Sequence, residues 1–264
     1  MNCIVCIKQV PSTNEVNLDP ITKTIIRDGR QSVTNPYDTF ALETAVQLKE
    51  RCGGTVSVLS MGIPATERLL RDAVSRGADR GLLLTDRAFA GADTLATSYT
   101  LSLGVRRLGD FDLILCGKMA IDGDTAQIGP ELAAHLGIPH VTDVLAITEV
   151  GGASVTVETA WQGGVRQVKV ALPALLTVQK DVNQPRMPSI AGVKRGLEAP
   201  VEVLGAEAVQ ADAKRIGLTG SPTQVVRTEA PQRDSTAVYI EGDASQQAHK
   251  LAELIAGLTE GARA

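Results

Sequence analysis

Asp122, Gly123, Asp124, Thr125, Ala126 and Gln127 are the residues whose types and spacing best suit chemistry, and that chemistry is the holding of an anion. They follow a continuously apolar run, Leu113-Ile114-Leu115-Cys116-Gly117, as a strand covered on both faces requires. Asp124 and Gln127 stand at capping-box spacing before the apolar pattern Ile128, Leu132, Leu136, which places a helix start with Asp124 as its cap. The free amides of Thr125, Ala126 and Gln127 would then point out of the helix N-terminus, where the dipole favours a phosphate by roughly 0.3 to 2 kcal/mol. Gly123 can take a backbone angle closed to other residues and lets a ligand approach the main chain. The competing reading is that Asp124 only caps the helix, because its carboxylate repels a phosphate unless it turns away.

Other catalytic patterns are missing. The G-x-G-x-x-G fingerprint is absent after the first strand, where Lys8-Gln9-Val10-Pro11 stands, and no G-x-x-x-x-G-K-[ST] occurs. His135, His140 and His249 have neither a G-x-S-x-G elbow nor metal-ligand spacing, so no metal site and no catalytic residue is assigned. Cys3 and Cys6 share an expected strand and face opposite sides of it, while Cys52 and Cys116 are isolated, which reads as four free thiols in a reducing compartment. A net charge of −4 without a Lys/Arg block, and only a few aromatics, argue against nucleic acid. With no run near 18 apolar residues and no signal-peptide pattern at the N-terminus, membrane insertion is not expected and a cytoplasmic location is.

The elements that must position the anion site alternate. Apolar runs at Cys3–Ile7, Val56–Leu59, Leu82–Leu84 and Leu113–Cys116 interleave with helical patterns at Pro36–Arg51, Pro64–Arg76 and about Thr94–Leu108. That order predicts an α/β fold with a doubly wound, mostly parallel sheet. The segment Gln9–Thr34 is too long for a simple crossover and is expected to be an excursion with a hairpin, Lys23–Arg27 being one arm. Strands at Val144–Val150, Ser154–Trp161, Arg166–Leu172 and Ala174–Val178 add an antiparallel part. The expected division is residues 1–180 as the α/β domain and 181–264 as an extended segment with a helix from about Ala244 to Leu258. That helix would dock on a partner through Ala248, Leu251, Leu254 and Ile255, or pack on its own domain. At the carboxyl ends of the parallel strands stand Cys6, Asn35, Ser60-Met61-Gly62, Asp86 to Thr97 and Ala120 to Gln127, together describing a nucleotide crevice. Each alone has a plainer reading, as cap or core plug.

The segment GKMAIDGDTAQIGPELAAHLGIP resembles the signature of electron-transfer flavoprotein beta subunits, an adenine-nucleotide-binding fold. The likeness extends through VCIKQVP, TNPYDTFALETAVQLKE, LSMG, RGADRGLLLTDRAFAGADTLATSY, LPALLTVQKDVNQPR and GLTGSPTQV. It implies a heterodimer with an alpha subunit carrying FAD, and either AMP or a second FAD in this chain's crevice. TDRAFAGADTLATSY, and Ala126 where AMP-binding members often have Asn, resemble the members that bind FAD and bifurcate electrons from NADH. Cofactor-binding residues implied are Cys6, Asn35, Met61, Asp93, Thr94, Thr97, Asp122, Gly123, Thr125, Ala126 and Gln127. Ile190 would contact a partner dehydrogenase such as an acyl-CoA dehydrogenase, and one electron would pass to ferredoxin or flavodoxin. A conventional carrier with structural AMP, or a stand-alone nucleotide-binding module, are the alternatives.

Overall fold

The apolar run Cys3–Cys6 (β1) is buried at all four positions and forms a central strand of a nine-stranded sheet. The computed structural model describes residues 1–12, 32–226 and 239–261, the side chains of the last four excepted. In chain order there follow β2 (Gln9–Pro11), β3 (Ser32–Thr34), α1 (Pro36–Cys52), β4 (Val56–Met61), α2 (Glu67–Ser75) and β5 (Arg80–Leu84). Next come α3 (Thr94–Leu108), β6 (Leu113–Gly117), α4 (Ile128–Leu136), β7 (His140–Val150), β8 (Ser154–Trp161), β9 (Gly164–Ala171) and β10 (Ala174–Val178). The described elements end with α5 (Ile190–Glu198), β11 (Val201–Leu204) and α6 (Ala244–Gly261).

The sheet order is β11-β5-β4-β1-β6-β10-β7-β8-β9, parallel from β11 to β7 and antiparallel through β8 and β9. This is the mixed α/β architecture expected. Alternation along β1 divides the core: Cys3 and Val5 pack with residues of α1 and α2 on one face, Ile4 and Cys6 with residues of α3 and α4 on the other. Close approach of helix to sheet needs small residues. A Cβ on Gly129 of α4 would lie 2.5 Å from Thr177 Cγ2 on β10, and one on Gly104 of α3 would lie 2.7 Å from Leu59 Cδ1 on β4.

From β1 the chain winds outward through β4 to β5, then α3 carries it back to β6 on the opposite side of β1. The winding direction therefore reverses between β1 and β6. Ligands of open α/β sheets bind at such a reversal, beyond the carboxyl ends of the strands.

Two compact units are present, Met1–Val226 and Arg227–Ala264. The first extends past the boundary expected at residue 180, because α5 and β11 fold back onto the sheet domain. β11 pairs in parallel with β5. α5 lies against α2 so closely that a Cβ on Gly192 would come 2.3 Å from Ser75 O and one on Gly196 2.6 Å from Arg71 O. Both elements were missed in a stretch rich in Pro, Gly and charge, where four-residue strands and glycine-bearing helices leave weak periodicity. The ends of the N-terminal excursion pair antiparallel as β2 and β3, and the expected arm Lys23–Arg27 lies outside the described residues. In the second unit, Asp243 caps α6: its carboxylate accepts from Ser245 N and Gln246 N, while Gln246 Oε1 accepts from Asp243 N. Leu251, Leu254 and Ile255 on α6 are each about half exposed.

Candidate functional site

At the reversal point Cys6, the last residue of β1, lies in register with Cys116, the penultimate residue of β6. Asp38, in the first turn of α1, ties the two strand ends together: its carboxylate accepts from Lys8 N at 2.8 Å and Gly117 N at 3.2 Å. Asp38 is buried. Burial pushes its carboxyl up to about 7, against the opposing pull of hydrogen bonds from Lys8 N, Asn35 and Gly117 N. No side chain fits at Gly117, where a Cβ would sit 2.4 Å from Asp38 Oδ1 and 2.7 Å from Tyr37 C.

Asn35 occupies the N-cap position before Pro36, as expected, but its side chain does not cap α1. Instead Nδ2 donates to Met119 O at 2.9 Å and Oδ1 accepts from Ile121 N at 3.2 Å, so this buried amide holds the start of the 118–127 loop. Lys8 Nζ forms an ion pair with Asp122 and spans the crevice from the β1 side.

The loop differs from expectation at two points. Asp124 is not the cap of α4, which starts at Ile128 with Gln127 in the N-cap position. Gly123 N and Asp124 N both turn back onto Ala120 O, at 3.2 and 2.8 Å, and this turn overrides the capping-box pattern. The left-handed angles then fall on Asp124 (φ 55) and Ala126 (φ 55) rather than on Gly123. Among the described residues, the N–H groups of Thr125, Ala126 and Gln127 meet no acceptor in the protein, and all three residues are exposed. A left-handed residue followed by right-handed Gln127 makes a concave set of amides suited to an anion. Space above Gly123 is open: a Cβ there would meet only Lys8 Nζ, at 3.9 Å.

From the next crossover, Thr94 opens α3 and its hydroxyl lies 3.3 Å from Gln127 Oε1 and 3.1 Å from Glu131 Oε1. Thr97 follows one turn on, partly exposed. Asp93 caps α3 through Ala96 N, and its other oxygen accepts from Thr223. Met61, at the end of β4, is partly buried against the α3-side core. The structure thus brings Cys6, Asn35, Asp122, Gly123, Thr125, Ala126, Gln127 and Thr94 to the neighbouring ends of β1, β6 and α3. Ile190 stands apart, 93% exposed as the first residue of α5, with Ser189 as its N-cap.

Sequence reasoning missed Lys8, Asp38 and Gly117. Asp38 carried a readable signal, since it follows Asn35 by the same three-residue interval that drew attention to Asp124 and Gln127.

Residues 22–209 match the model of the electron transfer flavoprotein domain. The chain belongs to the electron transfer flavoprotein family. It is 45% identical over 254 residues to the electron transfer flavoprotein subunit beta of Thermoanaerobacterium thermosaccharolyticum, covering 96% of this chain and 97% of that one. The corresponding subunit of Clostridium acetobutylicum is 46% identical over 232 residues, 88% and 89% of the two chains. CarD of the Acetobacterium woodii caffeyl-CoA reductase-Etf complex is 42% identical over 243 residues, 92% of each. Within the family this chain is of the beta-subunit kind.

Proposed function

We propose that this chain is the beta subunit of a heterodimeric electron transfer flavoprotein that holds FAD in the crevice between β1 and β6. Fed by NADH, the heterodimer splits electrons between ferredoxin or flavodoxin and, through FAD on the alpha subunit, a partner dehydrogenase. NADH oxidation then belongs to the complex in the cytoplasm and not to the isolated chain. The observation that carries this reading is the junction of two walls: the three open amides of Thr125–Gln127 stand next to the start of α3, linked by Thr94 and Gln127. An anion cradle at the strand reversal suits a pyrophosphate, and the α3 loop extends the wall beyond it.

FAD supplies the hydride- and electron-accepting chemistry when bound. The chain's own part is to bind and orient it. Thr125–Gln127 would hold phosphate oxygens, Thr94 and Thr97 would line the α3 side, and Cys6 and Met61 would form the apolar floor. Asp122 and Asp93 have their carboxylates engaged by Lys8 and Thr223, so they frame the crevice instead of facing an anion.

Two surfaces suit the partners. Met187, Ile190 and Leu197 expose 80%, 93% and 72% of their surface along and just before α5, an apolar ridge proposed for the dehydrogenase. The half-exposed leucines and Ile255 of α6 are proposed to dock on the alpha subunit, and CarD's name places that relative in a reductase–Etf complex. A single anion cradle also suits AMP, which would make the heterodimer a conventional carrier. The test is anaerobic mixing of the purified heterodimer with NADH, ferredoxin and a dehydrogenase substrate pair. Ferredoxin reduction that requires the second acceptor supports bifurcation; NADH-independent transfer alone supports the carrier.

A further inference from the structure

The loop that carries the α3 side of the crevice is held at both ends by a segment more than a hundred residues later in the chain. At its start, Asp86 Oδ2 accepts from Ala206 N at 2.9 Å. At its end, Asp93 Oδ2 accepts from Thr223 N at 3.2 Å and Thr223 Oγ1 at 2.9 Å. Asp93 N donates to Ser221 Oγ at 2.8 Å, and that buried hydroxyl donates in turn to Gly217 O at 2.7 Å. Between them, Leu218 N donates to Ala90 O at 3.0 Å.

The seat is built for contact. Gly217 has φ 53, and a Cβ there would lie 2.1 Å from Ala88 O; Gly91 has φ 75, and a Cβ there would lie 3.2 Å from Leu218 Cβ. Only glycine meets both the angle and the space at Gly217. Asp93 is the junction, because its Oδ1 accepts from Ala96 N at 3.1 Å and so caps the helix that opens with Thr94. Whatever holds Asp93 therefore sets where Thr94 and Thr97 stand.

We propose that Gly217–Thr223 is a latch on the 86–93 loop, and that Asp93, Ser221 and Thr223 are positioning residues for nucleotide retention. They act through the start of α3 and do not touch the ligand. This rests on the crevice being the nucleotide site. Thr223→Val removes the hydroxyl that donates to Asp93 and keeps the side-chain shape; Thr223→Ser restores the hydroxyl.

The experiment titrates FAD, and separately AMP, into the nucleotide-depleted heterodimer carrying wild-type chain, Thr223→Val, Ser221→Ala or Thr223→Ser. Amide hydrogen exchange over residues 86–96 is followed in parallel. The latch predicts roughly five- to tenfold weaker FAD binding for Thr223→Val and Ser221→Ala, each of which loses one hydrogen bond that holds Asp93. It also predicts faster exchange over 86–96 and near wild-type affinity for Thr223→Ser. Wild-type affinity and unchanged exchange in both disruptive variants would overturn it. Should the wild-type heterodimer take up one AMP and only the alpha subunit's FAD, the FAD reading fails, and the variants' AMP affinity and loop exchange judge the latch by the same comparison.

Discussion

Gly117 lies at the point where β6, α1 and the anion loop meet, and the atoms around it leave nothing to give. Asp38 Oδ1 and the backbone of Tyr37 would both be within 2.7 Å of an added Cβ. Gly117→Ala is expected to cost about 1 to 3 kcal/mol, read as a lower denaturant midpoint with the slope unchanged. Asp38 makes a prediction about pH. Its folded-state carboxyl is raised from 3.8 to about 7, so its contribution is complete below about pH 4 and lost as pH rises through 7. Glu43, Glu50, Asp86 and Asp93 are shifted the other way, below their ordinary carboxylate range, so their contributions fall away only at more acidic pH. Asp38 therefore makes the melting temperature decline between pH 5 and 8, against the opposite pull of His135, whose imidazole burial holds below its ordinary value. Asp38→Asn should flatten that decline while lowering stability throughout, because one amide N–H would confront Lys8 N or Gly117 N. A slope that survives the substitution would assign it to another group. At the anion cradle, Thr125→Pro removes one of three open amides; the purified variant should retain less nucleotide, and undiminished nucleotide content would remove that amide from the site.

At the scale of elements, α5 is presented by anchors outside itself. Arg186 joins Glu43 and Glu50 of α1 through paired hydrogen bonds, and Arg71 of α2 donates to the carbonyls of Leu197 and Ala199 at the end of α5. Glu43 is buried. Arg186→Ala would leave that carboxylate without its cation, with Gln47 Nε2 still donating to it, and is expected to cost about 3 kcal/mol. It should also raise KM for the partner dehydrogenase while leaving bound nucleotide unchanged; an unaltered KM would separate α5 from docking. The same element shows where sequence reading fails. α3 and β8 have the bounds expected of them, because long periodic segments with marked ends carry their own signal. α5 and β11 do not, because their place is decided by what they pack on: two glycines against α2, and one parallel edge beside β5. α4 was legible as a helix but not in its start, since the turn onto Ala120 O is a backbone contact that no residue type announces.

For the whole molecule, the site was legible as an address before it was legible as a geometry. Alternating strands and helices placed a crevice at the carboxyl ends of the strands, and the sheet order puts the reversal between β1 and β6, beside Asp122–Gln127. What could not be read were the long-range links that make it a site: Lys8 to Asp122, Asp38 across two strand ends, and Thr223 to Asp93. These join residues far apart in the chain, and only the folded sheet brings them together. The crevice is proposed to hold FAD rather than AMP. Purifying the chain with its alpha partner, denaturing the complex and quantifying released FAD and AMP per heterodimer tests it most directly. Two FAD and no AMP is the predicted result; one FAD with one AMP would contradict it.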